Sequence, residues 1–228
     1  MDRTILYYTS NHEHPKFEKR IQETLLENCG GFPILSVSQK PIDLGYKNIC
    51  VGDVGASGFN MFRQIQIALK EIKTRFIVSA ESDCCYPPDY FTFTPDKDNI
   101  CYRNSNLYVM GDHRDYWFHK PKGATHSQVI NRDFYLETLD NLFKNAPKWS
   151  IKEKNFPKER TGKDDFLPKN KIEFFKTKNP VFQIKTHYSM RYYTHSKREP
   201  IHTLPYWGSG KSIRKHYMKG VKEIYARS

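Results

Sequence analysis

The chain has 228 residues, of which 38% are hydrophobic and 14% aromatic, with a mean hydropathy of -0.75 and a formal net charge of +12. That length suits one domain of α/β size and is cramped for two, and the composition excludes an intrinsically disordered chain. No window approaches the roughly 18 apolar residues of a membrane span, so stable membrane insertion is not expected.

"RTILYYTS" (3–10) is rich in strand formers and ends in small polar residues, as a strand leading into a functional loop does. "HPKFEKRIQETLLENCGG" places Phe17, Ile21 and Leu25 four apart, with Pro15 at a helix start and Gly30-Gly31 at its end. "PILSVSQ" (33–39) and "NICVG" (48–52) are short apolar runs bounded by turn residues. "SGFNMFRQIQIALKEIK" (57–73) puts Phe59, Phe62, Ile65, Leu69 and Ile72 on one helical face, with Ser57 as cap. "RFIVSAE" (75–81) reads as a central strand. This βαββαβ order predicts an α/β fold with an open, largely parallel sheet of the nucleotide-binding, Rossmann-like kind over the first half.

Beyond Pro88 the candidate strands are shorter and more polar: "NICY" (99–102), "NLYVMG" (106–111) and "SQVI" (127–130). A helix over 132–145 with Asn131 as cap follows. Residues 147–171 have no apolar period and read as a mobile loop. "VFQIKTH" (181–187) is the last clear strand, and no strong amphipathic helix is expected after it. One domain is predicted, with 1–95 as the nucleotide-binding half and 96–228 as an acceptor-binding half with a basic tail. From Lys185 onward there are ten Lys or Arg against two acids, either a solvated tail or a surface for a polyanion. The five cysteines, odd in number and without a CxxC pair, indicate reduced thiols. "MDRTILYYTS" lacks the apolar stretch of a signal peptide, so a cytoplasmic location is expected. A monomer is the default, since nothing suggests a coiled coil.

The strand 75–81 runs into "ESDCCYPPDYF", placing Glu81 and Asp83 at the ligand edge of the sheet. Carboxylates there suit Mg²⁺ or Mn²⁺ bridging to a diphosphate; the plainer reading is a loop whose acids cap a helix at Pro87-Pro88.

"YYTSN", "SVSQKP", "GASGFNMFRQIQIALKEIKTRFIV" and "ESD" together resemble the A-type nucleotide-sugar glycosyltransferases, with "ESD" in the place of that family's DxD signature. "GASGFNMFRQ", "AESDCCYPPDYF" and "LPYWG" look more narrowly like short glycosyltransferase-like proteins of phages and bacteria. The resemblance is good over 3–130 and thin beyond. It implies the A-type fold, a single open mixed sheet flanked by helices, and a UDP-sugar donor with Mn²⁺ or Mg²⁺. It places Thr9, Ser10, Asn11 and Ser38 at the uridine, Arg63 near the nucleotide, Glu81 at the ribose, and Glu81, Asp83 and His187 at the metal. Glu in the first acidic position departs from the usual Asp.

Such an enzyme needs positive charge at the departing diphosphate and a base for the acceptor hydroxyl. Asp164 and Asp165 are the candidate bases, with Asp112, Asp115 and Asp133 as rivals. The C-terminal part interleaves cations with aromatics, the combination that grips phosphates and stacks bases. Arg191, Tyr192, Lys197, Arg198, Trp207, Lys211, Arg214 and Lys215 are therefore expected to bind the acceptor, most readily 5-hydroxymethylcytosine in phage DNA, whose modification requires extruding the base. Two alternatives are a transferase for cell-surface or lipid-linked glycans and a non-catalytic nucleic-acid-binding protein.

Overall fold

The computed structural model describes residues 2–152, 166–189 and 199–221. In chain order the first half runs β1 (Arg3–Tyr8), α1 (Pro15–Asn28), β2 (Ile34–Ser38), β3 (Lys47–Cys50), α2 (Gly58–Glu71) and β4 (Phe76–Glu81), the βαββαβ order expected from the sequence. Then come β5 (Cys84–Cys85), α3 (Pro88–Phe91), β6 (Cys101–Asn104), β7 (Leu107–Gly111), β8 (Phe118–His119), β9 (Gln128–Asn131) and α4 (Arg132–Leu142). The remainder contributes β10 (Ile172–Phe175), β11 (Val181–Lys185), the two-residue strands β12 (Thr203–Leu204) and β13 (Gly208–Ser209), and α5 (Gly210–Tyr217).

The main sheet is mixed, seven strands in the order β10-β6-β9-β4-β1-β2-β3. β3, β2, β1 and β4 are parallel, and β9 is antiparallel to both β4 and β6. β1 is buried along its whole length, as a strand covered on both faces must be. Its alternate residues therefore serve different cores: Ile5 and Tyr7 pack with Val78, Ala80 and Leu25, whereas Leu6 and Tyr8 pack with Phe59, Phe62 and Ile65 of α2. Both predicted caps form: Ser57 accepts from the Asn60 N–H at 3.0 Å and Asn131 from the Phe134 N–H at 3.0 Å.

The sequence reading expects a single sheet; the structure has a second, of four strands ordered β5-β11-β7-β8, and a β12-β13 ribbon. β5 and β8 are two residues long, too short to leave a periodic signal. Helix α5 is likewise unexpected. It presents Ile213 and Tyr217 to a third core with Phe17, Ile21, Phe182 and Ile184, and its apolar face is too short to stand out among the basic residues. Ser82 and Asp83 are the only residues between β4 and β5, so the chain crosses from one sheet to the other at the acidic pair.

Phe182, fully buried on β11, joins the small sheet to α1 and α5. Phe182→Ala is expected to cost about 3–5 kcal/mol, read as a lower urea midpoint; an unchanged midpoint would show that this third core contributes little.

Candidate active site

The crossover fixes Asp83 firmly. Its carboxylate accepts from the Gln183 side-chain amide at 2.9 Å (Oδ1) and 3.0 Å (Oδ2), from Lys185 Nζ at 3.1 Å (Oδ2), and from the Cys84 thiol at 3.2 Å (Oδ1). Gln183 and Lys185 are two apart on β11, so they point to the same face of the small sheet and reach one carboxylate together. Burial works against the charge of Lys185, but the carboxylates of Asp83 and Glu81 outweigh it and hold the ammonium's pKa above its ordinary value.

Glu81 ends β4 with Oε2 3.4 Å from His126 Nδ1. Burial, with Asp83 nearby, pushes its carboxyl up to about 8. The same two causes push Glu13, in the loop after β1, up to about 8. Glu13 accepts from the Thr186 hydroxyl at 2.6 Å and so ties that loop to the end of β11. Burial drives His126 well below the ordinary imidazole range, which makes it neutral.

The loops after β1 and β2 are laced together. Asn11, at φ 52°, accepts from the N–H groups of Gln39 (2.9 Å) and Lys40 (2.8 Å), and the Thr9 hydroxyl accepts from the Asn11 N–H at 2.8 Å. Ser38 is bonded to Asn48, whose amide donates to the Ser38 hydroxyl at 2.9 Å. Gln39 accepts from the N–H groups of Val54 and Gly55, and Gln64 donates to the Thr9 carbonyl at 2.9 Å. Thr9, Asn11 and Ser38 are thus brought to one edge, with Ser10 beside them. Arg63 is committed elsewhere: its guanidinium donates to the carbonyls of Ala146 (3.1 Å) and Pro147 (2.7 Å) and lies 4.1 Å from the Phe143 ring centre, closing the end of α4.

His187 stands with Nδ1 4.0 Å from Asp112 Oδ2, while His113 Nδ1 lies 3.2 Å from Asp112 Oδ1. Asp133 pairs with Arg132 at the start of α4, at 2.8 Å. Arg214 donates to the Asp112 carbonyl at 2.7 Å and approaches Asp115 at 3.5 Å. Trp207 is a packing residue, half-buried edge-on against Phe182 and donating to the Pro180 carbonyl at 2.6 Å. Lys211 and Lys215 are exposed on α5. Asp164, Asp165, Arg191, Tyr192, Lys197 and Arg198 lie outside the described residues.

An ion held jointly by Glu81, Asp83 and His187 needs lone pairs from all three at one point. Both oxygens of Asp83 already accept from protein donors, Lys185 supplies positive charge beside it, and His187 lies at Asp112. As arranged, this set does not fit an oxygen-seeking Mg²⁺ or Mn²⁺. Sequence reasoning missed Gln183, Lys185, Glu13 and His126. The alternation along "VFQIKTH" puts Gln183 and Lys185 on one face, but nothing in the sequence says that this face meets Asp83.

No family model matches the chain, and no curated protein matches it. In structure it is similar to S. aureus TarS 1–349, at 12% identity over 81% of this chain and 60% of that one, with a TM-score of 0.47. It is also similar to TarS 1–349 in complex with UDP-GlcNAc (14% identity, 85% of this chain, 62% of that one, TM-score 0.46). A third likeness is to a glycosyltransferase involved in the glycosylation of the major capsid of PBCV-1 (13% identity, 64% of this chain, 69% of that one, TM-score 0.38). The chain thus spans about 60% of the length of TarS 1–349. With TM-scores this low, the functional reading rests on the chain's own geometry.

Glu13 supplies a test of the site's electrostatics. A carboxyl raised from 4.5 to about 8 on folding holds its proton more tightly in the folded state. The stability it contributes is complete below its unfolded pKa and is lost as pH rises towards 8, and Glu81 behaves in the same way. Below about pH 6.5 the buried neutral His126 works the other way, so the fall is read between pH 6.5 and pH 8, and Glu13→Gln should remove roughly half of it, on the order of a couple of kcal/mol. Urea unfolding at the two pH values measures it; an equal fall in the variant would show that Glu13 is not held protonated.

Proposed function

We propose that the chain is a glycosyltransferase that moves a sugar from a UDP-sugar to a hydroxyl acceptor. The observation that carries this reading is the buried Asp83–Lys185 pair at the carboxyl end of β4, beside the laced loops after β1 and β2. Ligands of open α/β sheets bind at that edge.

In this reading uridine lies against Thr9, Ser10, Asn11 and Ser38, and the diphosphate meets the ammonium of Lys185, which Asp83 and Gln183 hold in position. As the glycosidic bond breaks, negative charge grows on the departing diphosphate, and a fixed buried cation stabilises it more than a hydrated one does. The acceptor hydroxyl loses its proton to a carboxylate: Asp164 and Asp165 remain the sequence candidates, and of the three rivals Asp112 is buried beside His113 and His187, whereas Asp115 and Asp133 face Arg214 and Arg132.

The acceptor we favour is 5-hydroxymethylcytosine in DNA. What supports it is the net charge of +12 and the exposure of Lys211 and Lys215 on α5. No described helix is long and apolar enough to cross a membrane.

The test is UDP release from a panel of UDP-sugars with plain DNA, hydroxymethylated DNA or no acceptor, with and without a chelator. Release stimulated by hydroxymethylated DNA, with the sugar's mass on the base, is expected. Asp83→Asn should lower turnover at least about 100-fold while DNA affinity persists. Hydrolysis indifferent to DNA would move the acceptor to a glycan or lipid, and DNA binding with no release from any donor would leave a nucleic-acid-binding protein.

A further inference from the structure

Next to the Asp83–Lys185 pair lies a second group that the transfer reading does not use. Glu81, Cys84 and His126 each offer one ligand atom, and these atoms all lie within 4.8 Å of one another. Cys84 and His126 are buried, and Glu81 has a side chain 19% exposed, so the group opens towards the ligand edge through its carboxylate. His126 Nδ1 lies 3.4 Å from Glu81 Oε2 and its Nε2 is buried without a hydrogen-bond partner, so this buried imidazole is poorly satisfied by the protein.

The three are held by a common clamp. The Tyr86 hydroxyl accepts from the Glu81 N–H at 3.0 Å and donates to the His126 carbonyl at 2.8 Å, so one fully buried phenol sets the spacing of two of the ligands. The third follows from the crossover, because Cys84 is the first residue of β5 and pairs with Gln183 of β11.

From this geometry we infer that Glu81, Cys84 and His126 form a site for a borderline-soft divalent cation of the Zn²⁺ class. One thiolate, one imidazole and one carboxylate are the donors such an ion takes in tetrahedral coordination, with the fourth position left for water or a substrate oxygen. Bond lengths of about 2.0–2.3 Å put tetrahedral ligand atoms less than about 4 Å apart, so the group closes on an ion by about an ångström of side-chain movement. On binding, the Cys84 thiol and the Glu81 carboxyl each give a proton to solvent and the sulfur turns from Asp83 to the metal, while Asp83 keeps Gln183 and Lys185. Hard Mg²⁺ does not suit this donor set. The site stands whether or not the chain transfers sugar.

The probe is Co²⁺, titrated into chelator-treated full-length protein and followed by absorption. One equivalent is expected to give a thiolate-to-cobalt band and the d–d bands of tetrahedral cobalt, all displaced by Zn²⁺. Cys84→Ser should abolish the thiolate band, Cys50→Ser, at the exposed cysteine, should leave it, and His126→Gln should weaken binding at least tenfold. Absence of the thiolate band in the wild-type protein overturns the inference, as does a band that follows Cys50. If Cys84→Ser fails to fold, the wild-type spectrum and the His126→Gln affinity decide the matter, and an unchanged affinity in that variant removes His126 from the site.

Discussion

The rest of this structure depends on one buried ion pair, Asp83 with Lys185, at the point where the chain leaves one sheet for another. β4 belongs to the seven-stranded sheet and β11 to the four-stranded one, so the pair ties the crossover between the sheets to β11 as well as forming a charged site. Charges with side chains 7% and 18% exposed are stable only with partners. Removing one member of such a pair typically costs about 3–5 kcal/mol, largely because the other is left buried alone. Gln183 reduces the cost of burying Asp83 by donating to both of its oxygens, and its own backbone is held by pairing with Cys84 of β5. The same interaction fixes the fold at the crossover and places an ammonium at the ligand edge.

Charge at that edge is arranged so that a phosphate can approach. Glu13, Glu81 and Asp83 would together repel an anion if all were ionised. With the first two held protonated to about pH 8, the group carries one carboxylate and one ammonium at neutral pH. The acids so conspicuous in the sequence then position Lys185 more than they present charge of their own. On this view Glu13 has a separate task, fastening the loop after β1 to Thr186 and so bringing the ends of β1 and β11 together.

Much of the fold is legible in the sequence because its elements announce themselves locally. The apolar positions Phe59, Phe62, Ile65 and Leu69 on one face of α2 and the continuous burial of β1 are direct consequences of covering a sheet on both sides. The capping roles of Ser57 and Asn131 follow from residue type and place. The second sheet is not legible in this way, since two of its strands are two residues long and are held by partners up to a hundred positions away. The site divides along the same line. Glu81 and Asp83 are visible as acids ending a strand, whereas Lys185, Gln183 and His126 become site residues only through long-range pairing. Arg63 shows the converse: the resemblance places it near the nucleotide, but the Ala146 and Pro147 carbonyls beyond α4 accept from its guanidinium.

The central claim is that Asp83 holds Lys185 for the diphosphate of a nucleotide, and calorimetric titration with UDP and with uridine tests it most directly. The proteins to compare are the wild type, Lys185→Met, Asp83→Asn and the double variant. The account predicts that Lys185→Met weakens UDP at least about tenfold and leaves uridine unchanged, and that Asp83→Asn adds little once Lys185 is gone, since the two residues act as one unit. UDP affinities equal across all four proteins, or losses in UDP affinity that simply add, would contradict it.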